Sequence, residues 1–243
     1  MRLGSSGLSS EAAIIGTMRH DLFEACMQQQ DFSTEFAQGK VEHIVRSHSD
    51  TLVGCQYYDD ARARREVLQV LPQIRDFATK FCAFGPAPKQ RTLPGARKAS
   101  KLPGNGCQTD IDFTADAVYA TEEAAISPEL GLKGFVDATL GTTTRPAGTT
   151  SPTLQSLMGL ELKTGHRQNP QNEHMAQLAL YTLMLRMRRG SAVVDSTSYG
   201  HQQGTGAAPA AEADKRHQSL QNGAASGGML LYLNHEAFLA LHV

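Results

Sequence analysis

The hydrophobic pattern of this chain changes from helical to strand-like after the first third, and that change constrains the fold more than any other feature. In the first third, apolar residues recur at helical spacing, as in Ile14, Met18 and Leu22. Later, the segments GLKGFVDATL and MGLELKTG are rich in β-forming residues, and a second strong helical pattern follows them. Helices followed by strand, strand, helix and strand predict an α/β fold with a small mixed sheet flanked by helices.

Capping residues, prolines and polar stretches predict where these elements begin and end. Ser9 or Ser10 is the expected N-cap of the first helix, and Pro72 predicts a kink or break in the last helical stretch of the first third. A polar loop, TTTRPAGTTSPTLQS, is expected between the two central strands. The predicted segments are a helical part (1–82), a basic loop (83–107), a central α/β core (108–190), a disordered low-complexity insertion (191–228) and C-terminal strands (229–243).

Composition excludes several classes of protein. The 23 Lys and Arg residues balance 24 Asp and Glu residues, so any surface for nucleic acid must be local. No apolar run reaches the roughly 18 residues that a membrane span needs, and the first residues lack the apolar core of a secretory signal. We therefore expect a soluble, intracellular protein with no membrane partner.

Positive charge is concentrated in the basic loop. Its cations are Lys89, Arg91, Arg97, Lys98 and Lys101. The loop is either a solvated insertion or a contact for phosphates, and in the second case Arg97 and Lys98 are candidate DNA-binding residues.

The cysteines and two common motifs give negative information. Cys26, Cys55, Cys82 and Cys107 form no C-x-x-C pair, which argues against a zinc or redox site and indicates ordinary thiols. The chain has no G-x-x-x-x-G-K-[ST] motif for ATP and no G-x-S-x-G motif of a serine hydrolase.

Acidic and basic side chains follow the two central strands. Asp137 ends one strand, while Glu161 and Lys163 lie on the same side of the next because side chains alternate along a strand. Taken alone, the E-x-K pair is most simply a surface ion pair. The helix after it places Gln177 and Tyr181 on one face, on which His174 also lies; we expect His174, His43 and His48 to be surface residues.

Two carboxylates and a lysine on adjacent strands suit metal-dependent hydrolysis of a phosphodiester. A divalent ion held by carboxylates offsets charge on phosphate oxygens and lowers the pKa of water. Mg²⁺ prefers a few carboxylate ligands and keeps positions open for the substrate. A neighbouring lysine stabilises the negative charge that develops.

These motifs resemble a known nuclease family. D…E-x-K is similar to the PD-(D/E)xK nuclease superfamily, and Q-x-x-x-Y on the following helix is similar to its RecB-type branch. The phrases GTMRHDLFE, ISPELGLKGFVDATL, LELKTG and EHMAQLALYTLMLRMRRG resemble, in the same order, the nuclease domain of the DNA replication helicase/nucleases that trim 5′ flaps of Okazaki fragments. The resemblance implies a restriction-endonuclease-like core, with residues 108–190 as its catalytic part.

The resemblance also implies roles for individual residues. Asp137, Glu161 and the carbonyl of Leu162 would bind Mg²⁺ or Mn²⁺, and Lys163 would be the catalytic lysine. Further implied residues are His20 near the metal and Gln177 and Tyr181 as the helix motif, while Glu122 and Glu123 lie where the family has acids of uncertain role.

The same resemblance implies cofactors and partners. Relatives carry a 4Fe-4S cluster, but the cysteines of this chain lie at other positions than its ligands, and the helicase half is not present in the sequence. The implied substrate is single-stranded or flap DNA, in the nucleus, with single-strand-binding protein and replication and repair factors as partners. Two alternatives stay open: a different RecB-type exonuclease, and a catalytically silent remnant that binds DNA without cutting it.

Overall fold

The computed structural model describes residues 10–57, 59–86, 91–93, 111–146, 150, 154–165, 172–189, 194–195, 225–233 and 237–242. Helices come first, as predicted: α1 (Glu11–Gln29), α2 (Thr34–Ser47), α3 (Ser49–Gly54), α4 (Asp60–Leu68), α5 (Leu71–Phe81) and, later, α6 (Asn172–Arg189). The strands are β1 (Arg91–Leu93), β2 (Ile111–Ser127), β3 (Leu132–Pro146), β4 (Leu154–Lys163), β5 (Val194–Asp195), β6 (Ala225–Tyr232) and β7 (Ala237–His242).

Local signals explain where the first helices begin. The side chain of Ser10 accepts a hydrogen bond from the Ala13 N–H, which confirms Ser10 as the N-cap of α1. Pro72 lies in the first turn of α5, where its missing N–H has no helical partner to lose. The predicted break is therefore confirmed: α4 ends at Leu68 and α5 begins at Leu71.

The strands form one mixed sheet, in the order β1-β2-β3-β4-β6-β7, with β5 beside β4. The pairs β2–β3, β3–β4 and β6–β7 are antiparallel, whereas β4 and β6 are parallel and α6 lies between them in the chain. The last two strands lie on either side of residues 234 and 235, as predicted. The architecture is therefore an α/β fold with a mixed sheet and a helical N-terminal part.

Helices cover both faces of the sheet. The large core cluster joins α1 to α5 with side chains such as Phe113, Leu140 and Leu160. On the other face, α6 packs Met184 and Leu185 against Val136, and Leu178 against Leu230. No helix in the described part of the chain is long and apolar enough to cross a membrane.

The structure corrects the predicted polar loop. β3 continues through Thr142 to Pro146, and β4 already begins at Leu154. The threonines favour a strand, and the Thr142 hydroxyl is buried and donates to the Ser156 carbonyl of the neighbouring strand at 3.1 Å. Position in the sheet outweighs the turn-like composition of this segment.

Two predicted irregular segments contain strands. Arg91–Leu93, in the basic loop, forms β1 beside β2. Val194–Asp195 forms β5, and β6 begins at Ala225, before the predicted boundary at residue 229. Within these two segments, residues 87–90, 94–107, 191–193 and 196–224, which include Arg97 and Lys98, lie outside the described residues.

Candidate active site

The strands β3 and β4 separate at the predicted carboxylates. Their pairing ends at Ala138 opposite Leu160, so Asp137 and Glu161 are the next residues beyond the last paired position. There the Leu162 N–H donates to Asp137 Oδ2 at 2.5 Å. The Asp137 side chain thus occupies the gap in which the ladder would have continued.

Helix α1 and strand β2 bring two further groups to Asp137. His20 Nδ1 lies 3.5 Å from Asp137 Oδ1. An imidazole nitrogen of His20 and one carboxylate oxygen each of Glu122 and Asp137 all lie within 4.8 Å of one another. Residues far apart in the sequence therefore form a compact set of one nitrogen and two oxygen donors.

Glu161 and Lys163 begin a polar chain that leads to α6. Lys163 Nζ donates to Glu161 Oε1 at 2.5 Å and to Gln177 Oε1 at 3.0 Å. Gln177 Nε2 then donates to the Tyr181 hydroxyl at 3.1 Å. The two strand residues do face the same way, and the helix motif fixes the ammonium group between them.

One oxygen of Glu161 has no hydrogen-bond partner. The residue is only 4% exposed, and its Oε2 is buried without a partner in the described part of the chain. Burial and the charge of Asp137 raise the pKa of the Glu161 carboxyl, against the opposing effect of Lys163. A buried carboxylate oxygen without a hydrogen-bond donor raises the free energy of the folded state unless a bound cation interacts with it.

The neighbouring groups show the same excess of negative charge. Burial lowers the pKa of His20, but hydrogen bonding and charge from Asp137, with smaller effects of Glu161 and Glu122, outweigh it and give a net rise. The pKa of Glu122 is also raised, by burial and then by the charge of Asp137. Burial and the neighbouring carboxylates thus raise the pKa of the two glutamates, and the carboxylates raise that of His20.

The donor set fits a divalent cation. Carboxylate oxygens and an imidazole nitrogen are suitable ligands for Mn²⁺ or Mg²⁺, and Asp137, Glu122 and His20 already converge. Glu161 adds the unpartnered oxygen. For Leu162, the described contact is its N–H with Asp137, so its carbonyl stays a prediction.

The two acids of unassigned role serve opposite faces of β2. Glu122 turns toward His20 and Asp137 with a left-handed backbone (φ 48°), a conformation that favours glycine. Glu123 turns to the other face, where it is buried and accepts hydrogen bonds from Thr139 and from Arg188 of α6. Counting back from the Pro128–Gly131 turn would have placed Glu122 opposite Asp137, since the hairpin register is regular there.

Two of the histidines expected at the surface are partly buried. His174 Nδ1 lies 2.9 Å from the Tyr232 hydroxyl, and His48 Nε2 lies 2.7 Å from Asp21 Oδ2. His43 is exposed, as expected. Periodicity correctly placed His174 on the same face of α6 as Gln177, but the strand β6 that covers it could not be located from sequence.

The described cysteines behave as core residues. Cys26 and Cys82 are buried in the main apolar cluster, and burial raises the pKa of both thiols, that of Cys26 to about 12. Both are protonated at neutral pH, which agrees with their interpretation as ordinary thiols. Cys107 lies outside the described residues.

Comparison with known proteins identifies the family to which the chain belongs. The family model described as DNA replication factor Dna2 matches residues 1–142, more than half of the chain. The chain belongs to the Dna2 family. The matched part contains His20, Glu122 and Asp137.

Full-length Dna2 relatives are much longer than this chain. The chain is 28% identical over 193 residues to the DNA replication ATP-dependent helicase/nuclease DNA2 of Bos taurus. The matched region covers 76% of this chain and 17% of the bovine protein. The proteins of the same name from Homo sapiens and Schizosaccharomyces pombe are each 26% identical, over 76% and 78% of this chain and 17% and 12% of their own length. The chain therefore spans less than a fifth of these relatives.

Proposed function

We propose that this chain is a metal-dependent deoxyribonuclease module that cleaves single-stranded or 5′-flap DNA during Okazaki-fragment processing and DNA repair, in the nucleus. Its core would be that of the PD-(D/E)xK superfamily. The observation that carries the proposal is the buried Glu161 oxygen without a partner, beside Asp137 and a lysine. The names of the Dna2 relatives, which are helicase/nucleases, support a nuclease acting in DNA replication.

The residues divide the chemistry among them. Asp137, Glu161, Glu122 and His20 would hold a divalent cation, which supplies charge neutralisation and a lower pKa for water. Lys163 is held by Glu161 and Gln177 at 2.5 and 3.0 Å, so its ammonium group is fixed before substrate arrives. A fixed cation stabilises the charge that develops on phosphate oxygens without reorganising during the reaction.

Helix α6 keeps this lysine in position. Gln177 bridges Lys163 and Tyr181, and the Tyr181 ring packs so closely on Gly134 that an added Cβ would lie 2.4 Å from it. The Q-x-x-x-Y motif is thus a positioning element of the proposed site.

The test is cleavage of an end-labelled 5′-flap DNA by the purified chain with Mg²⁺ or Mn²⁺. Asp137→Asn and Lys163→Gln should each lower the rate by about 100-fold or more. Glu129→Gln is the matched control, because Glu129 is an exposed acid at the turn of the same hairpin. Circular dichroism must show that all variants fold. A folded wild-type chain that binds DNA and leaves it intact would support the silent-remnant alternative.

A further inference from the structure

Beside the carboxylates, the β2–β3 hairpin carries an exposed surface formed by Ile126, Lys133 and Phe135. Phe135 is 49% exposed and Ile126 is 53% exposed. Lys133 is also exposed, and its Nζ lies 5.6 Å from the centroid of the Phe135 ring. In the described part of the chain, no carboxylate lies within 4.0 Å of this ammonium group. We call these three residues the hairpin platform.

The platform shares a face with the catalytic carboxylates. Gly134 and Val136 face α6, since Gly134 lies against Tyr181 and Val136 packs with Leu185. Alternation along the strand therefore puts Phe135 on the opposite face, where Asp137 approaches His20. Residues two positions apart on a strand are about 7 Å apart, so Phe135 is the next residue to Asp137 on this face of β3.

The hairpin register extends this order across both strands. Ala124 pairs with Phe135, and Ile126 pairs with Lys133, in the same register that places Glu122 opposite Asp137. From the carboxylates outward, the face thus presents one pair of acids, Glu122 and Asp137, then an aromatic ring, then a cation beside an apolar side chain. This is the combination that binds single-stranded nucleic acid: rings for bases and cations for phosphates.

We propose that the hairpin platform binds the bases of a single strand next to the scissile phosphate, with Phe135 stacking on one base and Lys133 contacting a phosphate. This rests on the proposed nuclease function and deepens it by assigning a source of preference for single strands. In a duplex the bases are paired and stacked on each other, so the ring would have no free base face to cover. The small Ala124 beside the ring leaves room for a flat base.

The first experiment measures binding of a labelled oligothymidylate to the full chain in EDTA, which prevents metal-dependent cutting. Phe135→Ala and Phe135→Leu should each weaken binding about tenfold, because base–aromatic stacking corresponds to roughly a tenfold effect or more. Phe135→Tyr should bind like wild type. Lys133→Gln should reduce the slope of log affinity against log salt by about one. Leu183→Ala is the matched control, since Leu183 is 41% exposed on the outer side of α6.

A scan with single abasic nucleotides separates stacking from general contact. At one position the abasic substitution should weaken binding of wild type and leave Phe135→Ala unaffected. Unchanged binding by Phe135→Ala, full affinity of Phe135→Leu, or the absence of such a position would overturn the proposal, and would fit a face covered by protein.

Failure of the nuclease proposal would look different. Flap cleavage with normal Phe135→Ala binding rejects the platform alone. Binding that depends on Phe135 without any cleavage supports the platform as a single-strand surface and rejects the nuclease function.

Discussion

At the scale of single residues, the site is defined by negative charge that the protein itself does not neutralise. Among the described carboxylates of the site, Lys163 forms an ion pair with Glu161, whereas Asp137 is paired with His20. The other side of the site has His20 against Asp137 and Glu122. This imbalance predicts how stability depends on pH and on metal.

Without metal, the stability contributed by the site should fall as pH rises. The pKa values of Glu161 and His20 are both raised in the folded state, above the ordinary 4.5 and 6.5. A raised folded pKa contributes stability that is complete below the ordinary pKa and lost as pH rises through the folded one. Thermal melts in EDTA should therefore show a smaller pH-dependent loss in Glu161→Gln than in wild type between about pH 5 and 8.

Metal should reverse that loss, because cations bind deprotonated ligands. Mn²⁺ at about 100 times its Kd should stabilise the chain by about 2.7 kcal/mol at alkaline pH, and by less near pH 6. The increase in Tm should vanish in Asp137→Asn. An equal increase in that variant would show that the metal binds elsewhere.

The left-handed backbone of Glu122 gives a second prediction at this scale. A non-glycine residue in this region costs roughly 1 kcal/mol or more, and the φ of Glu122 is 48°. Glu122→Gly should therefore be about 1 kcal/mol more stable than Glu122→Ala in urea unfolding, while both lose metal-dependent stabilisation. Equal stability of the two variants would mean that the strain is not stored at this residue.

At the scale of elements, the site depends on how α6 sits on the hairpin. Arg188 donates to Glu123 and to the Ala124 carbonyl near one end of α6, and Tyr181 packs on Gly134 in the middle. Between these contacts the helix buries Met184 and Leu185 against Val136. The docking of α6 thereby sets the position of Gln177 and, through it, Lys163.

Gly134→Ala tests this coupling. The new Cβ would lie 2.4 Å from the Tyr181 ring, so the ring must move, at a cost of about 1–3 kcal/mol. Cleavage should fall with it because Gln177 loses its partner. Gly39→Ala is the control: its Cβ meets nothing within 4 Å inside α2, so stability should rise by about 0.5–1 kcal/mol. Normal cleavage activity of Gly134→Ala would show that the contact between Tyr181 and Gly134 is not needed for catalysis.

At the scale of the whole molecule, the helical part and the sheet share one core. Phe77 and Phe81 contact each other with ring centroids 5.8 Å apart, and Phe81 contacts Phe113 of β2 at 6.0 Å. His20 can reach Asp137 because this core holds α1 against the sheet. Helices α1 to α5 therefore share their core with the sheet and do not form an independent unit.

Phe81→Ala should destabilise both parts together, by about 3–5 kcal/mol. Hydrogen exchange followed by mass spectrometry should show α1, α2 and the β2–β3 hairpin losing protection by the same free energy, as in one cooperative unit. Loss of protection confined to the helices would contradict a shared core.

The sequence by itself determined the elements and much of the site. Helical periodicity, the Ser10 cap and Pro72 placed the first helices, and strand alternation correctly put Glu161 and Lys163 on one side. These features depend on interactions between near neighbours in the chain, which local pattern records. The E-x-K pair and the spacing of Gln177 and Tyr181 are also features that near neighbours in the chain determine.

Only the tertiary structure decided the rest. The inclusion of Glu122, the contact of His174 with Tyr232 and the exposure of Phe135 depend on register, strand order and the packing of helices. The strand character of the threonines after Gly141 came from burial against β4, against their turn-like composition. Such features arise from pairings between segments that are distant in the chain. Their energies depend on which segment packs or pairs against which, and a local window of sequence does not contain that information.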